Sequence, residues 1–286
     1  MDILIAIGIL GGLGLIFGLI LAAASKMFYV EADPRLEKLN ACLPGANCGG
    51  CGYAGCGGYA EAVLEGRTEI GRCAAGGNEC AQAMAAIMGT QAGEVARKVA
   101  LVRCSGEKTY DKDGNLVAGA RMKANYEGFR DCLAASKVGG RGPLACKYGC
   151  LGFGNCVKVC KYDAIKIVNG VARVNEQQCV GCMSCAAACP RDLIVAVEPD
   201  RNVIIACNSM AKGAVTTRGC TVGCIGCGLC KKICPNDAIT VANNLATIDY
   251  SKCDNCGLCA TVCPKRLIKD SNVENLADPH PLTKSL

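Results

Sequence analysis

Eight cysteines in the second half of the chain recur at one constant offset of 74 residues, and no other feature limits the fold so strictly. Cys146, Cys150, Cys156, Cys160, Cys179, Cys182, Cys185 and Cys189 map onto Cys220, Cys224, Cys230, Cys234, Cys253, Cys256, Cys259 and Cys263. Other landmarks keep the register: Asp163-Ala164-Ile165 falls on Asp237-Ala238-Ile239, and Leu193-Ile194 on Leu267-Ile268. This stretch is two copies of one module of about 65 residues. The chain of 286 residues holds 26 Cys and 36 Gly but no Trp, four Phe and eight Tyr, so cysteine chemistry must organise much of what an aromatic core cannot.

Cysteine at this density means either disulfides or metal ligation, and the spacing decides. Cys224-x2-Cys227-x2-Cys230-x3-Cys234-Pro235 is a bacterial ferredoxin run, and Cys253-x2-Cys256-x2-Cys259-x3-Cys263-Pro264 is its mate. In such a pair the first three cysteines of each run hold one [4Fe-4S] cluster and the fourth ligates the other. Cys224, Cys227, Cys230 and Cys263 therefore form one expected set, and Cys253, Cys256, Cys259 and Cys234 the next.

The first copy departs from this pattern. Cys179-x2-Cys182-x2-Cys185-x3-Cys189-Pro190 is regular, but its mate reads Cys146-x3-Cys150-x5-Cys156-x3-Cys160, with Phe153 in the register of Cys227 and Lys161 in place of a proline. Cys146 is the expected substitute, giving the sets Cys146, Cys150, Cys156, Cys189 and Cys179, Cys182, Cys185, Cys160. A three-iron cluster at the altered site is the alternative. Cys220, the copy of Cys146, could likewise displace Cys227.

Nearer the N-terminus, Cys48-x2-Cys51-x4-Cys56-x16-Cys73 offers four thiolates among glycine-rich turns, which suits a fifth cluster; four-cysteine zinc sites use similar spacings and stay open here. Gly50-Cys51-Gly52-Tyr53-Ala54-Gly55 satisfies G-x-G-x-x-G, but no apolar strand precedes it and a cysteine occupies its loop, so a dinucleotide fold is excluded. Cys42, Cys80, Cys104, Cys132, Cys207 and Cys220 remain. Cys104 and Cys207 each end a β-like run, Val99 to Arg103 and Val203 to Ala206, which suits buried thiols; a sixth cluster from Cys104, Cys132, Cys207 and Cys220 is arithmetically allowed. A single His, His280 in the tail, removes Ser-His-Asp and Cys-His catalysis, and the dispersed Lys and Arg give no nucleic-acid footprint.

Ile3 to Ser25 is an uncharged run, ~35 Å long as a helix, enough to span a hydrocarbon core. Lys26, Arg35 and Lys38 follow it and none precede it, which orients the remainder to the cytoplasm. That reducing compartment disfavours structural disulfides. The segment from Asn78 to about Val102 reads as one or two amphipathic helices broken near Gly89, and Asp113-Gly114 as a hairpin turn. The expected organisation is a transmembrane anchor (1–26), an N-terminal 4Fe-4S domain (27–103), an inserted arm or linker (104–140), ferredoxin-like modules at 141–205 and 206–270, and a disordered polar tail (271–286). The fold class is α+β: an N-terminal transmembrane helix, a small Fe-S domain and two tandem bacterial 2[4Fe-4S] ferredoxin-like modules.

The uncharged first helix, the segment Leu43-Pro44-Gly45-Ala46-Asn47-Cys48-Gly49-Gly50-Cys51-Gly52-Tyr53 with Cys56 and Cys73, and the tandem ferredoxin modules together resemble the B subunits of Rnf complexes, in their longer clostridial form. The resemblance covers nearly the whole chain. It implies an electron-transfer subunit of an ion-translocating ferredoxin:NAD oxidoreductase, taking electrons from soluble ferredoxin and relaying them through [4Fe-4S] clusters toward membrane subunits, with nicotinamide and flavin sites on other subunits. It also implies a single-pass protein of the cytoplasmic membrane. A polyferredoxin of another membrane redox complex, such as a hydrogenase, or a cluster enzyme that reduces a substrate directly, are the rival readings.

Overall fold

The computed structural model describes residues 2–27, 33–199 and 201–270. The polar tail and His280 lie outside the described residues. A long helix α1 (Asp2–Met27) comes first, with apolar side chains such as Leu10, Phe17 and Leu21 exposed, and it is long and apolar enough to cross a membrane.

Three helices build the N-terminal domain: α2 (Pro34–Cys42), α3 (Cys56–Leu64) and α4 (Gly77–Met88). Asp33 caps α2 by accepting the Arg35 N–H, with Pro34 opening the first turn. α2 packs on both α3 and α4, and Leu39, Tyr59 and Met84 are fully enclosed where they meet. Gly89, in the left-handed conformation, ends α4. The expected second helix does not follow. Val99 and Val102 instead sit on strand β1 (Val99–Val102), which pairs antiparallel with residues 194–197.

The hairpin of β2 (Thr109–Tyr110) and β3 (Leu116–Ala118) turns at Asp113-Gly114 as the sequence indicates, and Asp111 Oδ1 accepts the N–H groups of Asp113 and Asn115. After it comes α5 (Cys132–Lys137), capped by Asp131. Module 1 contains α6 (Asn155–Lys158), the hairpin β4 (Ile165–Val168) and β5 (Val171–Val174), α7 (Ser184–Ala187) and β6 (Ile194–Val197). Module 2 opens with β7 (Val203–Ile205) and α8 (Gly213–Gly219), then repeats the pattern as α9 (Leu229–Ile233), β8 (Ile239–Ala242), β9 (Leu245–Ile248), α10 (Leu258–Thr261) and β10 (Ile268–Asp270).

The hairpin turns Asn169-Gly170 and Asn243-Asn244 have positive φ at both central residues, the type I′ arrangement that matches strand twist. In all four half-modules the residue three positions beyond the fourth cysteine is left-handed: Asp163, Asp192, Asp237 and Arg266. Lys161 thus follows Cys160 into the same turn that proline accompanies elsewhere.

Each module is closed by a strand from before its first ferredoxin cysteine. β1 pairs with β6 in module 1, and β7 pairs with β10 in module 2. Two expected boundaries shift accordingly: Val99–Val102 joins module 1 rather than the N-terminal domain, and Val203–Ile205 joins module 2 rather than module 1. The arm is also more than a linker. Arg121 donates its N–H to Gly219 O and its carbonyl accepts the Ala145 N–H, while Thr221 N–H reaches Gly119 O. The strip around residues 119–123 is thereby sewn to both modules, and Ala120, Leu144 and Cys220 are buried where it passes.

Leu193, 2 % exposed in the module 1 core, tests this packing. Leu193→Ala is expected to cost ~2–5 kcal/mol. Val168→Ala on the exposed hairpin should cost little; chemical unfolding of the two variants under anaerobic conditions checks the contrast.

Candidate metal centres

Each turn that carries ferredoxin cysteines is built alike. A residue with positive φ (Gly154, Met183, Gly228 or Gly257) precedes a one-turn helix carrying the third cysteine of its run: Cys156, Cys185, Cys230 or Cys259. That reversal turns the cysteines of the loop inward. Met183 accepts the left-handed conformation where its three counterparts are glycine.

In module 2 the thiols gather as the spacing requires. Cys224, Cys227, Cys230 and Cys263 line one cavity of about 370 Å³. Cys253, Cys256 and Cys234 surround Cys259, whose thiol burial pushes up to about 12, the neighbouring charges adding to the rise. Cys230, from the other set, also bears on Cys259, so the two sets adjoin. Cys227 and Cys256 are exposed to solvent.

In module 1, Cys160, Cys179 and Cys182 surround Cys185, and Ala100 donates its N–H to Cys179 Sγ at 3.3 Å. The altered set is revised. Cys132, from the arm, lines a cavity of about 400 Å³ together with Cys150, Cys156 and Cys189; Cys146 does not line it. An amide clamp seats Cys132: its N–H donates to Asn155 Oδ1 at 2.9 Å, and Asn155 Nδ2 donates to Asp131 Oδ2 at 2.7 Å. Phe153, in the register of Cys227, turns instead to Tyr126 of the arm, with ring centroids 5.2 Å apart. Nothing in the local spacing marks Cys132; Asp131 as a helix cap before it is the only local signal.

Cys146 lines a different cavity of about 360 Å³, with Cys104, Cys207 and Cys220. The grouping of Cys104, Cys132, Cys207 and Cys220 that the sequence allows is not brought together: Cys132 lines the other cavity. Cys220 and Cys227 line separate cavities.

In the N-terminal domain Cys48, Cys51, Cys56 and Cys73 line a cavity of about 360 Å³. Asn47 Oδ1 accepts the Cys56 N–H at 2.8 Å, which ties the glycine-rich loop to the start of α3. Cys182 of module 1 reaches the same cavity, and Ser184 Oγ donates to Cys48 O at 3.0 Å. Cys80 stays out of the cavity: its thiol lies 3.8 Å from Met84 Sδ in the core, and burial pushes it up to about 11.

These groupings fit multi-iron clusters. A single zinc ion with Zn–S bonds near about 2.3 Å would draw four sulfurs to within about 4 Å of one another. The thiols here instead sit on paired ferredoxin runs and glycine-rich loops whose spacing suits [4Fe-4S] ligation, and among the described residues no three such side chains converge on a point suited to one metal ion. Glycine-rich loops and backbone N–H groups aimed at sulfur complete the fit.

The comparisons with known proteins agree with this chemistry. Residues 43–75 match the FeS family of iron-sulfur cluster domains, residues 172–195 a 4Fe-4S binding domain, and residues 223–267 a 4Fe-4S dicluster domain. The chain is 46% identical over 252 residues to the B subunit of the Na+-translocating ferredoxin:NAD+ oxidoreductase complex of Acetobacterium woodii, covering 88% of this chain and 73% of that one. It is 41% identical over 243 residues to the B subunit of the proton-translocating ferredoxin:NAD+ oxidoreductase complex of Clostridium ljungdahlii, covering 84% and 82%. The B subunit of the ion-translocating oxidoreductase complex of Methanosarcina acetivorans is 36% identical over 254 residues, covering 87% and 90%.

Three substitutions probe the site. A Cβ on Gly50 would stand 2.3 Å from Cys182 O, where the N-terminal domain meets module 1, whereas a Cβ on Gly58 in α3 meets nothing within 4 Å. Gly50→Ala should cost ~1–3 kcal/mol and Gly58→Ala should be neutral or stabilise by ~0.5–1 kcal/mol; thermal melting of the anaerobic holoprotein reads both. Cys132→Ser should convert one four-iron cluster to a three-iron form, seen by EPR of the oxidised protein. An unchanged spectrum would return Cys146 to that ligand set.

Proposed function

Because the chain belongs to the family of B subunits of Rnf-type ion-translocating ferredoxin:NAD oxidoreductase complexes, we propose that it is the electron-transfer subunit of such a translocase, accepting electrons from reduced soluble ferredoxin and passing them toward the membrane subunits. The observation that carries this reading is that the thiol sets adjoin within each module and that Cys182 of module 1 reaches the cavity lined by Cys48, Cys51, Cys56 and Cys73.

When bound, a [4Fe-4S] cluster supplies a reversible one-electron site. The residues proposed to hold five of them are Cys48, Cys51, Cys56 and Cys73; Cys132, Cys150, Cys156 and Cys189; Cys160, Cys179, Cys182 and Cys185; Cys224, Cys227, Cys230 and Cys263; and Cys234, Cys253, Cys256 and Cys259. The protein's part is to fix these sites and set their electrostatics. Arg191, 4 % exposed, lines the Cys132 cavity and donates to Cys146 O at 3.2 Å and to the carbonyls of Gly149 and Arg141. Lys265 holds the same register in module 2 and lines the matching cavity. One cation per module therefore stands beside thiolates whose charge it offsets.

The exposed thiols of module 2 make it the face that meets ferredoxin. The membrane helix places the Cys48 domain nearest the bilayer, since only a few residues separate α1 from α2. We assign α1 as a single span, with the iron-sulfur domains on the cytoplasmic side.

Reduced ferredoxin added anaerobically to the purified full chain should bleach its visible absorption, near about 400 nm for iron-sulfur chromophores. The isolated chain should neither reduce NAD+ nor be reduced by NADH. A chain colourless after anaerobic purification, or one that turns over NADH alone, would contradict the proposal. Deletion of residues 1–27 should leave a soluble protein with its chromophore intact.

A further inference from the structure

Tyr162 carries a buried hydroxyl that meets no hydrogen-bond partner among the described residues. Its ring packs against the module 1 core, which accounts for a phenylalanine but not for a phenol. A polar atom enclosed without a partner costs free energy, so it marks a place where a further acceptor belongs.

The register of Tyr162 says what kind of acceptor that is. It lies two residues beyond Cys160, as Arg191 lies beyond Cys189 and Lys265 beyond Cys263. Arg191 and Lys265 both line thiol-bounded cavities, so the turn after the fourth cysteine of a run delivers this side chain to a cluster site. Tyr162 brings a donor there without a charge.

Its surroundings single out the set. Burial pushes the phenol up to about 12, and the groups that add to the rise are Cys48, Cys182, Cys73 and Cys56, in that order. Three of those four belong to the N-terminal set, and Cys182 is the module 1 cysteine that reaches the N-terminal cavity. The two domains touch closely here: Ser184 Oγ donates to Cys48 O at 3.0 Å, and a Cβ on Gly50 would stand 2.3 Å from Cys182 O. A phenol is protonated at neutral pH even when exposed, so at this seam Tyr162 acts as a donor.

We infer that the Tyr162 hydroxyl donates a hydrogen bond across the seam to the [4Fe-4S] cluster held by Cys48, Cys51, Cys56 and Cys73, and holds that cluster at a higher reduction potential. The inference rests on the reading that this set binds such a cluster. A hydrogen bond to sulfur favours the more negative, reduced state. The electron step from module 1 into the domain that follows α1 is thereby favoured.

An EPR-monitored redox titration of the anaerobically purified full chain tests it, with the N-terminal signal identified as the one altered in Cys51→Ser. Tyr162→Phe removes only the hydroxyl. With iron and sulfide content unchanged, it should make reduction of that cluster about tenfold less favourable, a midpoint ~59 mV lower for a one-electron couple. Tyr250→Phe, which removes a hydroxyl that donates to Val203 O at 3.2 Å, should leave that midpoint in place. An unmoved midpoint in Tyr162→Phe would overturn the inference, as would a shift confined to the module 1 signals. Should that variant lose its clusters, fluorotyrosine incorporated into the unaltered chain takes its place: a more acidic phenol is a stronger donor and should raise the N-terminal midpoint, and the absence of a rise would overturn the bond. Zinc in the Cys48 set, or no iron-sulfur signal from it, would remove the reading on which the inference rests.

Discussion

Buried thiols dictate the rest of this structure. Enclosing Cys156, Cys230 and Cys259 pushes each thiol up to about 12, and Cys104 with them, so burial without metal opposes the thiolate form at these four. Metal supplies the charge that makes thiolate favourable at neutral pH, and the free energy of that ligation becomes folding free energy. Each module adds an aliphatic core, with Leu193 and Ile194 in one and Leu267 and Ile268 in the other, closed by strands of three or four residues. Short helices and strands suffice because the cross-ligation of two runs holds them.

The same constraint explains the topology. A ferredoxin module ligates within itself and has no need of its neighbour, so tandem copies could hang as separate beads. Here each module borrows a strand from upstream, and each such strand delivers a cysteine to the cavity between modules. The arm between residues 104 and 140 contributes twice. It supplies Cys132 to the altered set through the Asp131–Asn155 clamp, and it lays residues 119–123 across both modules. What reads in one dimension as an insertion is the piece that makes two modules one relay.

Much of this is legible in the residues. The 74-residue offset reveals the duplication, the ferredoxin spacing groups the thiols of module 2 and of the regular half of module 1, and the runs before Cys104 and Cys207 read as the strands they form. The departures share a cause. Cys146 is the cysteine nearest along the chain that could stand in for the register of Phe153, but closure in three dimensions brings in Cys132, whose position depends on how the arm docks. The apolar spacing from Val95 to Val102 suits a helix face equally well; pairing with Ile194–Val197, far along the chain, decides for a strand. Sequence periodicity reports local preference, and both departures arise where a distant segment supplies the partner.

The central claim is that the thiol sets form one continuous path rather than a collection of independent centres. EPR spectroscopy of the fully reduced, anaerobically purified full chain tests it most directly, because neighbouring reduced clusters broaden and split each other's signals. Spin-coupled spectra are expected in the intact chain. A spectrum that is the plain sum of isolated cluster signals would contradict it.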